Sequence, residues 1–150
     1  MRFNSRPALI KRANVWSCAV EYTMFFRKRS VEGVWFDESV GAGTSWRSGE
    51  AADLLLQLLQ RKAVLFYDPR LVVIHPSPVL PYDDESARKA FSDGCGLGRV
   101  LKKHGYPIRS KIWWLIKPLV RATSSLLLMR ISRDRLHYSK FRGRLKELLS

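Results

Sequence analysis

Residues 48–76 read SGEAADLLLQLLQRKAVLFYDPRLVVIHP, and this stretch decides the fold class. Its first half has the chemistry of a helix. Ser48 and Gly49 offer a cap, Glu50 and Asp53 fall in the first turn, and Arg61 and Lys62 close the other end, so both charge signs suit the helix dipole. Leu54, Leu55, Leu58 and Leu59 recur at helical spacing, which lets one stripe be buried while Gln57, Gln60 and Arg61 stay outside. The surface under that stripe is expected to be a sheet. Residues 63–67 and 71–74 are short runs rich in valine, leucine, isoleucine and aromatics, split by the turn dipeptide Asp68-Pro69. Upstream, residues 19–27 (AVEYTMFFR) read as a further strand. Strands alternating with a helix predict α/β layers.

Between that strand and the helix, residues 36–49 (FDESVGAGTSWRSG) combine glycine, serine, threonine and one tryptophan, which supply mobile backbone and hydrogen-bonding groups in place of a core. A connection this long is more often functional than idle. The chain has 150 residues, 46% of them hydrophobic, enough for an ordinary core, and shows no internal repeat. Cys18 and Cys95 match no metal-ligand spacing and read as two reduced thiols. The first residues, MRFNSRPALIKRANVW, lack an apolar run long enough for a secretory signal, so a cytoplasmic location is expected.

Charge is lopsided. Residues 1–98 carry 13 basic and 11 acidic side chains, whereas residues 99–150 carry 14 basic and 2 acidic, so almost all of the net +14 sits in the last third. A basic tail on a nearly neutral body calls for an anionic partner. Residues 112–131 (IWWLIKPLVRATSSLLLMRI) place Trp113 and Trp114 at one end and Lys117, Arg121 and Arg130 at intervals, too charged for a spanning helix but suited to one lying in a bilayer interface. Tyr138, Phe141, Leu145, Leu148 and Leu149 form a second apolar stripe flanked by cations. The pair reads as a basic membrane-surface hairpin. Packing of these helices on the body, with the cations merely solvated, is the alternative. Nucleic acid comes last, because no recognition motif accompanies the charge and charge alone gives only non-specific affinity.

Several motifs resemble family-2 glycosyltransferases of the GT-A type. Residues 25–28 (FFRK) followed by 34–38 (VWFDE) look like the family's strand and "G-G-F-D-E" element beside the acceptor site, with Val34 and Trp35 replacing its glycines. Residues 41–50 (GAGTSWRSGE) are similar to a "G-x-G-T-x-W-x-S-G-E-D" loop of a bacterial subgroup. Tyr82-Asp83 and residues 94–107 (GCGLGRVLKKHGYP) resemble that subgroup's C-terminal region, where glycines two residues apart let helices approach closely. The resemblance implies a partial GT-A-like sheet with a packed helix over residues 1–82, forming the acceptor side, and a basic amphipathic helical tail over 83–150.

In the family a carboxylate deprotonates the acceptor hydroxyl while a divalent metal, Mg or Mn, steadies the departing diphosphate of a nucleotide-sugar. The base belongs to the "E-D" pair, which here reads Glu50-Ala51. Asp53 keeps the family's second acidic position but points about 200° around the helix from position 51. Glu50 and Asp53 are therefore the candidate catalytic carboxylates. Asp37, Glu38, Trp46 and Arg47 are the candidate acceptor-binding residues, Trp46 having equal claim to be an anchor for its loop. His75 stands where relatives can offer a metal- or diphosphate-facing histidine, and is the candidate metal ligand. Asp83-Asp84-Glu85 reads as a helix N-terminus rather than a metal site. No Asp-x-Asp occurs in the chain and no nucleotide-binding half is recognisable. The expectation is a fragment that is inactive alone, acts on a lipid-linked or cell-envelope acceptor when a donor-binding half is supplied, and sits at the inner face of the cell membrane with Trp113, Trp114, Lys117 and Arg121 at the surface. A non-catalytic membrane-associated or partner-binding module is the alternative. The unpaired edge of the 19–27 strand adds an expectation of self-association or a partner chain.

Overall fold

The computed structural model describes residues 5–74, 83–127 and 131–150. The element order is β1 (Ala8–Leu9), α1 (Glu50–Gln60), β2 (Phe66–Tyr67), α2 (Asp84–Lys103), α3 (Ile108–Leu127) and α4 (Ile131–Leu149), with short 3₁₀ turns at Val15–Ser17, Glu21–Thr23 and Lys28–Ser30. The protein is mixed α/β but helix-dominated. It divides into two units, Met1–Asp37 with Glu50–Ser77, and Glu38–Gly49 with Pro78–Ser150.

In the first unit α1 forms where the sequence places it and buries more than one stripe: Ala51, Ala52, Asp53, Leu54, Leu55, Leu56 and Leu58 are all buried. It packs on the Val15–Ser17 turn, whose Val15 and Trp16 are also buried. The helix stops in a Schellman arrangement, Ala63 N–H donating to Leu58 O and Lys62 N–H to Leu59 O, both at 3.0 Å. Lys62 stands at the left-handed position with φ 62°. A side chain there costs about 1 kcal/mol that glycine avoids. Lys62→Gly is therefore expected to raise stability by about 1 kcal/mol in urea denaturation; no gain would mean the left-handed turn is not formed. Arg61 leaves the helix and ties down the neighbouring turn through Glu32 O (3.0 Å) and Gly33 O (2.6 Å).

The sheet is smaller than expected. β1 and β2 pair antiparallel in the register Ala8↔Tyr67 and Leu9↔Phe66, extended by Ile10 N–H to Leu65 O at 2.8 Å. Residues 71–74 follow a turn in which Asp68 accepts from the Arg70 backbone N–H and guanidinium, and they form no strand. Arg70 holds the Asp68 carboxyl down at about 2. Residues 19–27 are not a strand either. Thr23 turns its backbone N–H and its hydroxyl onto Val20 O (3.0 and 2.8 Å), and this local closure takes the place of a ladder. Many apolar side chains of this unit are consequently exposed, among them Phe25, Val64, Phe66, Val72 and Ile74.

The second unit is a helical layer. Asp83 caps α2 by accepting the Ser86 N–H at 2.8 Å, which lowers its carboxyl, and Asp84 pairs with Arg135 of α4. A second Schellman turn ends α2, with Gly105 at φ 56° and Tyr106 N–H on Leu101 O. α4 is laid along α2 and also contacts α3, so it is a packed element of this unit. The face of α4 turned to α2 is not its apolar stripe. Gly143 and the Lys140 backbone meet Phe91, Gly94 and Cys95, at distances that leave no room for a Cβ on Gly94 or Gly143. Among the described residues no helix is long and apolar enough to cross a membrane.

Candidate functional site

The glycine-rich loop 38–49 closes on itself through a single parallel bridge and a set of local hydrogen bonds. Val40 and Trp46 form a bridge, Gly41 N–H donates to Trp46 O at 2.7 Å, and the Thr44 hydroxyl donates to Gly41 O (2.9 Å) while accepting the Trp46 N–H (3.1 Å). Its far end lies on α2. Gly94 and Gly98 are four residues apart and share the face toward α4, while Gly96, about 200° round the helix, takes the opposite face against the loop. A Cβ on Gly96 would stand 2.0 Å from Ser48 O. Around this contact the Ser48 hydroxyl donates to Asp93 O (2.9 Å) and the Ser92 hydroxyl to Ser45 O (2.6 Å). Gly49, at φ 112°, then turns the chain toward α1.

This packing places Trp46 under Arg99, whose guanidinium carbon lies 4.7 Å from the ring centroid. Arg47 is exposed and offers its N–H to Ser92 Oγ at 3.4 Å. Burial raises the Asp93 carboxyl, against the pull of Lys140, Lys89 and Arg47; burial likewise lowers Lys140, which Asp93 partly offsets. The loop therefore presents one half-buried aromatic face backed by a cation and one exposed guanidinium, beside the largely buried Asp93 of α2, a set suited to a polyhydroxylated or phosphorylated ligand. Of the candidate acceptor residues, Trp46 and Arg47 meet here, with Glu38 exposed at the loop's start. Asp37 belongs to the first unit and is half-buried. Arg99, Ser92 and Asp93 were not singled out from the sequence, although Arg99 sits inside the 94–107 motif.

The candidate catalytic carboxylates lie in the first unit. Glu50 opens α1 half-buried, and Ala51 beside it is buried. Asp53 is fully buried and accepts from Gln57 Nε2 at 2.8 Å; the same amide donates to Trp35 O at 3.1 Å. That network holds Asp53 as a helix-start carboxylate among packed side chains. His75 lies outside the described residues. Among those described, no group of three or more histidine, cysteine, aspartate or glutamate side chains could hold a metal ion; Asp83 and Asp84 are engaged in the cap and the Arg135 pair. Cys18 and Cys95 are buried thiols, both raised by that burial, and His104 is buried at the end of α2.

The tryptophan pair of α3 is divided. Trp113 points outward, 62% exposed. Trp114 is half-buried, with Lys117 Nζ 4.3 Å and the Arg144 guanidinium 5.8 Å from its ring centroid. Its carbonyl accepts from Arg144 Nη1. Pro118, buried one turn on, has no N–H to give that carbonyl, so α4 supplies the missing donor. Burial, with Arg121 adding to it, lowers Arg144 to about 10; burial, Arg121 and Arg144 lower Lys117.

An open apolar cleft of about 470 Å³ in the first unit is lined by Val20, Met24, Phe25, Phe66, Leu71 and Val72, among others.

Comparison of the chain with protein-family models, with curated proteins and with solved structures gives no match.

Proposed function

We propose that this chain supplies the acceptor side of a family-2 glycosyltransferase-like protein, working on a lipid-linked or cell-envelope acceptor at the inner face of the cell membrane, and that it transfers no sugar by itself. The observation that carries this reading is the contact between its two most specific motif segments. Residues 41–50 and 94–107 resemble the same bacterial subgroup, lie some fifty residues apart, and pack into one another through Gly96 on Ser48 and Arg99 on Trp46. Two unrelated accidental likenesses would have no reason to meet in this way. Trp46 would stack on an acceptor sugar and Arg47 would contact a phosphate.

A nucleotide-sugar, and the Mg or Mn ion that accompanies it in the family, would enter only with a donor-binding half. The base is the weak point. Ala51 cannot take a proton, Asp53 is enclosed with Gln57, and Glu50 is the nearest remaining carboxylate. The burial of Asp53 favours a second reading, a non-catalytic module that keeps the acceptor-side fold; the exposed apolar cleft of the first unit would then receive a partner chain or a second copy.

Co-expression with a polypeptide carrying a β-α-β unit and an Asp-x-Asp motif separates the two. Release of nucleoside diphosphate from a nucleotide-sugar is expected to stay at background for the chain alone and for the unmodified pair. It should rise by about 10²–10⁴-fold for the pair carrying Ala51→Asp, the range general-base catalysis supplies. A pair that binds the donor yet stays inert with Ala51→Asp would leave only the non-catalytic reading.

A further inference from the structure

The exposed side of α3 is apolar, the reverse of an ordinary surface helix. Ile112, Ile116 and Val120 follow one another at four-residue spacing and are 47%, 43% and 56% exposed, with Trp113 beside them. At about 100° per residue these four span roughly a third of the helix circumference. Lys117 and Arg121 form the adjoining row, so the apolar strip has a cationic border on the Trp113 side, while Arg109 supplies a cation at the exposed strip's first turn. The opposite side, with Trp114 and Pro118, is turned inward.

The border carries more charge than one helix provides. Arg144 reaches from α4 to the Trp114 carbonyl, and its Nε is buried without a hydrogen-bond partner. Lys117 and Arg144 both approach the Trp114 ring. Every neighbouring charge that shifts these two groups is another cation, Arg121 for both and Arg144 for Lys117. Lys117, Arg121 and Arg144 thus form a like-charged trio, and a phosphate would relieve their mutual repulsion. An apolar strip edged by such a trio matches the layering of an anionic bilayer, acyl chains below and headgroup phosphates at the rim.

We propose that α3 is the membrane-docking element: Ile112, Trp113, Ile116 and Val120 enter the acyl boundary of an anionic bilayer, and Lys117 and Arg121 bind headgroup phosphates along one edge, with Arg144 adding its charge from behind. This deepens the membrane-surface reading and rests on it. It also orients the helical unit, because one long side of α3 carries both features among its described side chains, and it leaves Trp114 as a platform for the cations and not as an inserted residue.

Co-sedimentation of the full chain with vesicles tests this. Retention is expected on phosphatidylcholine containing phosphatidylglycerol and not on phosphatidylcholine alone. The Lys117→Gln/Arg121→Gln double variant should bind about thirtyfold more weakly, near fivefold for each cation removed. Val120→Asp should weaken binding by about tenfold or more with unchanged net helix content by circular dichroism. The exposed pair Lys28→Gln/Arg29→Gln, an equal loss of charge in the other unit, should lower binding by less than about threefold. Equal losses for the two double variants, or full binding by Val120→Asp, would overturn the assignment to α3 while leaving membrane attraction in place. No retention on anionic vesicles would overturn the membrane-surface reading itself.

Discussion

Gly143→Ala is expected to remove at least about 3 kcal/mol of stability from the helical unit and to expose Cys95. A Cβ at this position would lie 2.1 Å from Phe91 O and 2.9 Å from Cys95 N, both main-chain atoms of α2, so no side-chain rotation can make room. α4 would have to withdraw by about an ångström, and a gap of that size forfeits a quarter to a half of the dispersion energy along the contact. The same withdrawal would loosen Gly94, whose own Cβ site is 2.4 Å from Lys140 O. Because a domain holds only some 5–15 kcal/mol in total, a loss of this size should lower the thermal midpoint by ten degrees or more. Gly105→Ala provides the contrast: its φ is 56° but nothing lies within 4 Å, so only the backbone term of about 1 kcal/mol is at stake. Circular dichroism melts, with thiol labelling of Cys95 in a Cys18→Ser background, measure both. A Gly143→Ala protein that melts within about 0.5 kcal/mol of the parent would refute the close α2–α4 contact.

The second large effect concerns Pro118 and Arg144. Removing the guanidinium by Arg144→Met leaves the Trp114 carbonyl without its donor, at a cost of about 1–3 kcal/mol. Pro118→Ala has the opposite sign. It restores the N–H that an α-helix would direct at Trp114 O and removes a residue that costs about 3 kcal/mol in a helix interior, so α3 should gain up to about that amount. The informative quantity is the coupling. In the Pro118→Ala background the carbonyl has a partner from its own helix, and Arg144→Met should then cost about 1–2 kcal/mol less than in the parent. Urea denaturation of the four proteins gives the cycle, and additive effects would mean that Arg144 contributes through packing alone. Relief of the desolvated guanidinium in the methionine variant works against the loss, which keeps the expected single-variant cost at the lower end of its range.

Much of the local structure is legible in the residues. Glu50 and Asp53 before a leucine run mark α1 by their charge in its first turn, while Asp68 marks a turn and Asp83 the start of α2 because each accepts a backbone N–H two or three positions on. The strands are not legible in the same way. Residues 63–67 and 71–74 have strand composition, yet only Phe66 and Tyr67 find a ladder, and their partner, Ala8–Leu9, lies nearly sixty residues away with no strand signal of its own. Residues 19–27 show the converse, strand composition closed into a turn by Thr23.

The functional surfaces divide along the same line. The 41–50 loop and the 94–107 run can be read as motifs, and the spacing of Gly94, Gly96 and Gly98 already says that backbones come close there. Which glycine meets which neighbour cannot be read, because Gly96 is matched by Ser48 and Gly94 by Lys140, partners chosen through space. Trp113 and Trp114 are adjacent and chemically identical, and only the position of α4 sends one to the surface and sets the other beneath Lys117 and Arg144. By itself the sequence determined the helices, the Asp83 cap of α2, the turn at Asp68, the concentration of positive charge after residue 98 and the alanine at position 51, since these depend on residue type and near neighbours; the Ser48 cap expected for α1 is not among them, because that hydroxyl donates to Asp93 O. The tertiary structure alone decided the two-stranded sheet, the glycine-to-backbone contacts, the donor for the Trp114 carbonyl and the outward face of α3, because each requires groups distant in the chain to compete for one place.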